Sequence, residues 1–258
     1  MLRSFFNNEQ ALTPAAADAL PHPERPLFVV GDLHGRADLL DIMLEEIDAI
    51  LGEVNLNDPQ LVFVGDYVDR GPNSAEVLRK LSVLCRDYSN NVVCLRGNHE
   101  QMMLDFLDKP ALRHSRWLRN GGMSTLASFG VSLDTAELTA EAAGHAAARL
   151  EQAVGPEILK WLRELPTSAT TGNVTVVHAA ADPKKRIQDQ SDRIFLWGHP
   201  EFLSRTRSDG EWVVHGHTIM NQPEYGDGRI SIDTGAYATD KLTAAIILPE
   251  GEVEFLQT

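Results

Sequence analysis

Short apolar, β-branched runs recur along the chain, and each stops at a polar residue. The runs read LFVV (27–30), LVFV (61–64), VVCL (92–95), VTVV (174–177) and EWVV (211–214). Directly after them in the chain come GDLHG, GDYVDRG, RGNHE, HAA and HGHT. A strand that ends at Asp, Asn or His can present that side chain at a sheet edge. Three of the predicted strands, at 27–31, 61–65 and 92–95, precede helical patterns. The first of these runs from about Ala37 to Leu51, with Leu39, Leu40, Met43, Leu44, Ile47 and Ile50 on one face. The others lie near 73–86 and 100–107. This β-loop-helix rhythm predicts an α/β fold with a largely parallel sheet, its polar tips at the carboxyl ends of the strands.

The stretch 104–165 breaks the rhythm. It is rich in Ala and Leu, lacks a strand signal, and is interrupted by Gly121-Gly122 in WLRNGG. It predicts a helical insertion beside the site. Strands return at 174–178, 212–216, 229–233 and 243–248. Residues 1–25 read as a tail or surface segment that ends in the Pro-rich PHPERP. With no solenoid repeat or low-complexity tract, 1–258 is read as a single domain.

Composition narrows the chemistry. Of 258 residues, 37 are acidic and 23 basic, a net charge of −14. That argues against an electrostatic grip on nucleic acid or anionic lipid. A phosphorylated substrate would then need local positive charge from metal ions and a few arginines. Cys85 and Cys94 are too few and too close for a disulfide scaffold, and Cys94 reads as a small core residue. No apolar run is long enough to span a membrane, and no signal-peptide core is present, so the cytoplasm is expected.

Taken singly, each polar tip reads as an ordinary turn or core residue. Together, Asp32, His34, Asp66, Asn98, His99, His178 and His217 supply carboxylates, an amide oxygen and imidazoles, the inventory of a two-metal hydrolase. Asp32 and His34, two residues apart, can share one cation, and Asp66 can bridge two. The donor set suits Mn, Fe or Zn better than Ca. In HGHT, strand alternation would put His215 and His217 on one face, and spacing does not choose between them.

GDLHG, GDYVDRG, LRGNHE and HGHT, in this order, resemble the phosphoprotein phosphatase family of metallophosphoesterases, most closely its compact bacterial and phage members. The likeness runs from about 27 to 248. It implies a four-layer αββα sandwich and two divalent ions, usually Mn with Fe or Zn as alternatives. It implies Asp32 and His34 on the first metal, Asp66 as bridge, and Asn98, His178 and His217 on the second, which leaves His215 a packing or supporting role. It further implies direct attack by a metal-bridging water, phosphate clamps at Arg70 and Arg96, and His99 as general acid oriented by Asp69. Near LWGHPEF, similar proteins carry a phosphate-binding arginine where His199 stands here. His199, or Arg205 or Arg207 reaching in, would replace it. Ala180 stands where the family favours Gly. The implied reaction is hydrolysis of phosphomonoesters, on phosphoserine or phosphothreonine in proteins. The alternatives are a dinucleoside tetraphosphate hydrolase, whose motif resembles GDLVARG and so lacks Asp69, and an inactive binding scaffold.

Overall fold

A computed structural model describes residues 19–54, 56–133 and 139–258. The expected tail over 1–25 lies outside the described residues up to 18. From Ala19 on, the segment lies against the second sheet: the Ala19 carbonyl accepts from Trp212 Nε1 (2.9 Å) and the His22 amide donates to Asn173 (2.6 Å).

The first half alternates as expected: β1 (Leu27–Val30), α1 (Ala37–Glu53), β2 (Gln60–Phe63), α2 (Ser74–Asp87), β3 (Val92–Cys94) and α3 (Asn98–Asp108). Four more helices come next, α4 (Pro110–Trp117), α5 (Met123–Ser128), α6 (Ala140–Val154) and α7 (Pro156–Glu164). The chain then adds β4 (Ser168–Thr171), β5 (Val174–Val177), α8 (Asp192–Trp197), β6 (Trp212–His215), β7 (Glu224–Gly226), β8 (Arg229–Ser231), α9 (Ala236–Thr239), β9 (Thr243–Ile247) and β10 (Val253–Gln257).

Two five-stranded sheets form, ordered β10-β9-β1-β2-β3 and β4-β5-β6-β8-β7. The expectation of a largely parallel sheet holds for only three strands in each. β1–β2–β3 and β5–β6–β8 are parallel, whereas β9, β10, β4 and β7 join antiparallel. The sequence pattern does not reveal β4 (SATT), β7 (EYG) or β10 (VEFLQ), edge strands that are polar or only half buried.

Alternation explains the layering. Leu27, Val29, Val62 and Val64 face Val174, Val176, Trp212 and Val214 between the sheets. Phe28, Val30, Phe63 and Cys94 face the other way, against α1, α2, α3 and the helices beyond. Val177 and Val213 face outward to Phe195 of α8 and Phe202. The result is α/β/β/α with a thin fourth layer. Leu150, Leu159 and Leu162 of α6 and α7 join the same core as β1 and β2, so these helices extend the helical layer of the sandwich.

Candidate metal centre

The strands deliver their polar tips to one place. Asp66 comes just after β2 and sits between two groups of side chains. Its Oδ2 lies 3.5 Å from His34 Nε2 and 3.8 Å from His99 Nε2, and its Oδ1 lies 3.4 Å from His178 Nε2. Asn98 Oδ1 lies 2.8 Å from His178 Nε2 and 3.1 Å from His217 Nδ1. Asp32 joins from β1, its carboxylate accepting the His217 amide at 3.2 Å through each oxygen. The edges of both sheets are thus closed over one cluster.

Backbone strain marks the spot. His34, Asp66, Asp69, Arg70 and His217 all have φ between +42° and +74°. For residues with a Cβ, each such conformation costs ~1–3 kcal/mol and persists only where the surroundings enforce it. Crowding supplies the enforcement. A Cβ on Gly97 would stand 2.2 Å from Asp66 Oδ1, and one on Gly216 would stand 2.0 Å from Asp32 Oδ1.

The donor set calls for cations. His34 Nδ1–H donates to the Val68 carbonyl (2.9 Å) and His178 Nδ1–H to the Val64 carbonyl (3.2 Å). Burial holds the His34 ring neutral, down at about 3, and the His178 ring at about 4. Each Nε2 therefore presents a bare lone pair to Asp66, and His178 also to Asn98 Oδ1. Acceptors that face one another without a proton lack only positive charge, and a backbone carbonyl fixing the far nitrogen is the usual support of a metal-bound imidazole. Burial also pushes the Asp32 carboxyl well up, with Asp233 and Asp66 adding to the push. At Asp66 burial acts upward too, but His178, His99 and His34 outweigh it and keep the group below its ordinary range. His34–Asp66–His99 and Asp66–His178–His217 each form a group able to hold an ion. Asp32 and Asn98 stand beside these groups.

Next to this cluster, His99 Nδ1 contacts Asp69 Oδ2 at 2.6 Å. Asp69 is fully buried and accepts from Trp117 Nε1 (3.0 Å) and Thr125 Oγ1 (2.6 Å). Burial lowers the His99 ring's affinity for a proton, but Asp66 and Asp69 reverse this and leave it raised. Arg70 Nη2 is 3.4 Å from His99 Nε2, and the guanidinium rests over the Tyr237 ring at 4.6 Å.

Several expectations need correction. Asn98 and His99 occupy the first turn of α3, which begins two residues earlier than the pattern suggests. His215 and His217 do not share a face. β6 ends at His215, and left-handed His217 reverses direction. His215 packs on Phe202 and pairs with Ser231 Oγ (2.8 Å), on the outer face of the second sheet. Arg207 does not reach in. It is 3% exposed and holds the carbonyls of Asp182 and Lys185. Arg205 lies 3.7 Å from Glu201. Separately from these corrections, His199 lies 3.8 Å from Asp182, and Arg96 is tied to the Arg163 carbonyl and Gln101.

Sequence reasoning misses the residues that brace the site. Glu100 accepts amides from Asp66, Tyr67, Val68 and Gly97. Asp233, raised to about 6 by burial and Asp66, faces Asp32. Trp117, Thr125 and Tyr237 complete the set. The one signal in the sequence is position: Glu100 lies in RGNHE, Trp117 in WLRNGG, and Asp233 and Tyr237 in DTGAY.

Comparison with known proteins agrees with this geometry. The model of the calcineurin-like phosphoesterase family matches residues 25–221. Serine/threonine-protein phosphatase 1 of Salmonella typhimurium is 31% identical over 86% of this chain and 92% of its own. The asymmetrical bis(5'-nucleosyl)-tetraphosphatase PrpE of Bacillus velezensis is 26% identical over 83% of this chain and 86% of its own. The solved cold-active protein-tyrosine phosphatase of a psychrophilic Shewanella shares the fold, with a TM-score of 0.56 and 20% identity over 93% of this chain and 82% of that one. The chain belongs to the calcineurin-like phosphoesterase family and is a metal-dependent phosphatase.

Proposed function

We propose that the protein hydrolyses phosphomonoesters of serine and threonine in proteins, with two manganese ions held by Asp32, His34, Asp66, Asn98, His178 and His217. The two oxygens of Asp66, turned toward separate imidazole groups, are the observation that carries this reading. Asp32 and His34 would hold the first ion, Asn98, His178 and His217 the second, and Asp66 would serve both. When bound, the ions would supply Lewis-acid polarisation of the phosphoryl oxygens and lower the pKa of water.

The chain's own residues do the rest. Arg70, exposed and resting over the Tyr237 ring, offers a planar fork to the equatorial oxygens as water attacks in line. Arg96 is the second clamp, and its Nε is buried without a partner among the described residues. His199 is the third, weaker contact. His99 delivers a proton from Nε2 to the leaving alkoxide, since its Nδ1 is fixed by Asp69. Trp117 and Thr125 hold the Asp69 carboxylate so that the ring cannot turn away. An acid so placed contributes ~10²–10⁴-fold.

Asp69 favours phosphomonoesters over dinucleoside tetraphosphates, because the expected tetraphosphatase motif lacks this acid. The Salmonella relative's name points the same way, and the Bacillus relative's name supplies the competitor. No described helix is long and apolar enough to cross a membrane. Action in the cytoplasm is part of the proposal. The test is a substrate panel with metal-loaded protein, comparing serine and threonine phosphopeptides with diadenosine tetraphosphate. Faster turnover of phosphopeptides is expected. Turnover of the tetraphosphate alone would replace this reading by the nucleotide one, and no turnover of either would leave a binding scaffold.

A further inference from the structure

In a chain of net charge −14, residues 109–133 contain no acid but carry Lys109, Arg113, Arg116 and Arg119. All four are exposed. None pairs with a carboxylate among the described residues, although most other arginines do. Spacings of four, three and three line them along one side of α4 and its extension. Like charges at such spacings repel by a few tenths of a kcal/mol, so the stripe is an unbalanced cationic surface.

The stripe is also anchored to the site. Trp117, one residue past Arg116, donates to Asp69. The chain then kinks at Gly121, whose φ of 108° suits glycine. A Cβ there would stand 2.7 Å from the Arg70 amide. Ser124 Oγ donates to the Arg70 carbonyl at 3.1 Å. Arg116 lies over the Trp197 ring at 4.1 Å, and Trp197 is two residues before His199. Stacking occupies the faces of a guanidinium and leaves its N–H edge free for an anion.

We propose that the Arg113–Arg116–Arg119 stripe is a substrate-docking rim that reads acidic side chains next to the phosphorylated residue of a protein substrate. This rests on the phosphoprotein phosphatase reading and names the class of phosphopeptide it prefers. The chemistry is complementary. The rim has charge and no carboxylate partner among the described residues, it adjoins Trp117 and Ser124, which hold Asp69 and Arg70, and an extended peptide continuing past the phosphate would meet it. Guanidinium forks match carboxylates in two-point contact.

The experiment compares two phosphopeptides that differ only in acidic or neutral residues flanking the phosphoserine, with p-nitrophenyl phosphate as a measure of the reacting centre. For the natural protein, kcat/KM favours the acidic peptide roughly five- to tenfold, as two or three rim ion pairs of ordinary strength give. The preference shrinks as ionic strength rises from about 0.05 to about 0.5 M, because rim charges are screened. Arg113→Glu combined with Arg116→Glu inverts the preference toward a peptide with flanking lysines, which a merely structural role would not do. Arg116→Lys keeps charge without the fork and retains only part of the preference. Equal turnover of acidic and neutral peptides by the natural protein would overturn the rim while leaving the phosphatase reading intact. Cleavage of diadenosine tetraphosphate with no cleavage of either peptide would overturn both.

Discussion

At the carboxyl ends of the strands, Asp32, Asp66, Asp69 and Glu100 are at most 2% exposed. At the amino ends, Glu24, Arg25, Asp58, Thr171 and Glu250 line a cleft of about 760 Å³. There Asp58 is 62% exposed and pairs with Arg25 at 2.9 Å. Asn91 and Arg25 hold the Asp58 carboxyl below its ordinary value in open solvent. Both edges belong to the same pair of sheets, yet one gathers charge out of water and the other leaves charge in it. Burying like charges together opposes stability unless counter-charge arrives. The strained, buried edge is therefore the one that cations complete, and the solvated edge is simply a surface.

Replacing Asp66 breaks this contrast most severely. Asp66→Asn should lower turnover by ~10²–10³-fold or more, because it removes the group proposed to serve both ions. Metal analysis should find fewer than two ions. Arg25→Ala at the other edge should change stability by no more than about 0.5 kcal/mol and leave turnover alone.

Glu100 tests the bracing of the buried edge. An amide at this position cannot accept at both ends, so amides now bonded to it would face a donor. Glu100→Gln should cost ~2–4 kcal/mol in denaturant unfolding. A loss under about 0.5 kcal/mol would mean the loop after β2 holds itself.

His99→Asn should keep both ions and slow alkyl phosphoesters by ~10²-fold or more. Esters of p-nitrophenol, whose leaving group needs no proton, should suffer much less. Equal slowing would remove His99 from the acid role.

How much of this edge is legible in the sequence depends on what each residue needs. Asp32, Asp66, Asn98 and His178 are readable because each lies at or just past the end of an apolar run, and a run shows its end in one dimension. Glu100, Trp117, Thr125, Asp233 and Tyr237 act across the fold. Trp117 and Asp69 are 48 residues apart and Thr125 and Asp69 are 56 apart, so no local pattern joins them. Alternation mispairs His215 with His217 because it stops at the end of β6. The edge strands β4 and β7 escape the pattern for a related reason: polar, half-exposed strands carry no hydrophobic period.

A milder test uses a titrating group far from the site. Glu254, on edge strand β10, is raised to about 7 by burial and by Glu252. The folded state thus holds this proton more tightly than the unfolded chain. Stability from this group is complete below the ordinary carboxylate pKa, near 4.5, and declines as pH climbs toward about 7. Glu254→Gln should flatten that decline in metal-free melting curves between those pH values. An unchanged slope would show that Glu254 is ordinarily solvated.

The most direct measurement is anomalous diffraction at the manganese edge from crystals grown with Mn2+. Two peaks are expected on either side of Asp66, one bounded by Asp32 and His34, the other by Asn98, His178 and His217. A single peak elsewhere, or none with manganese in large excess, would contradict the paired-ion site.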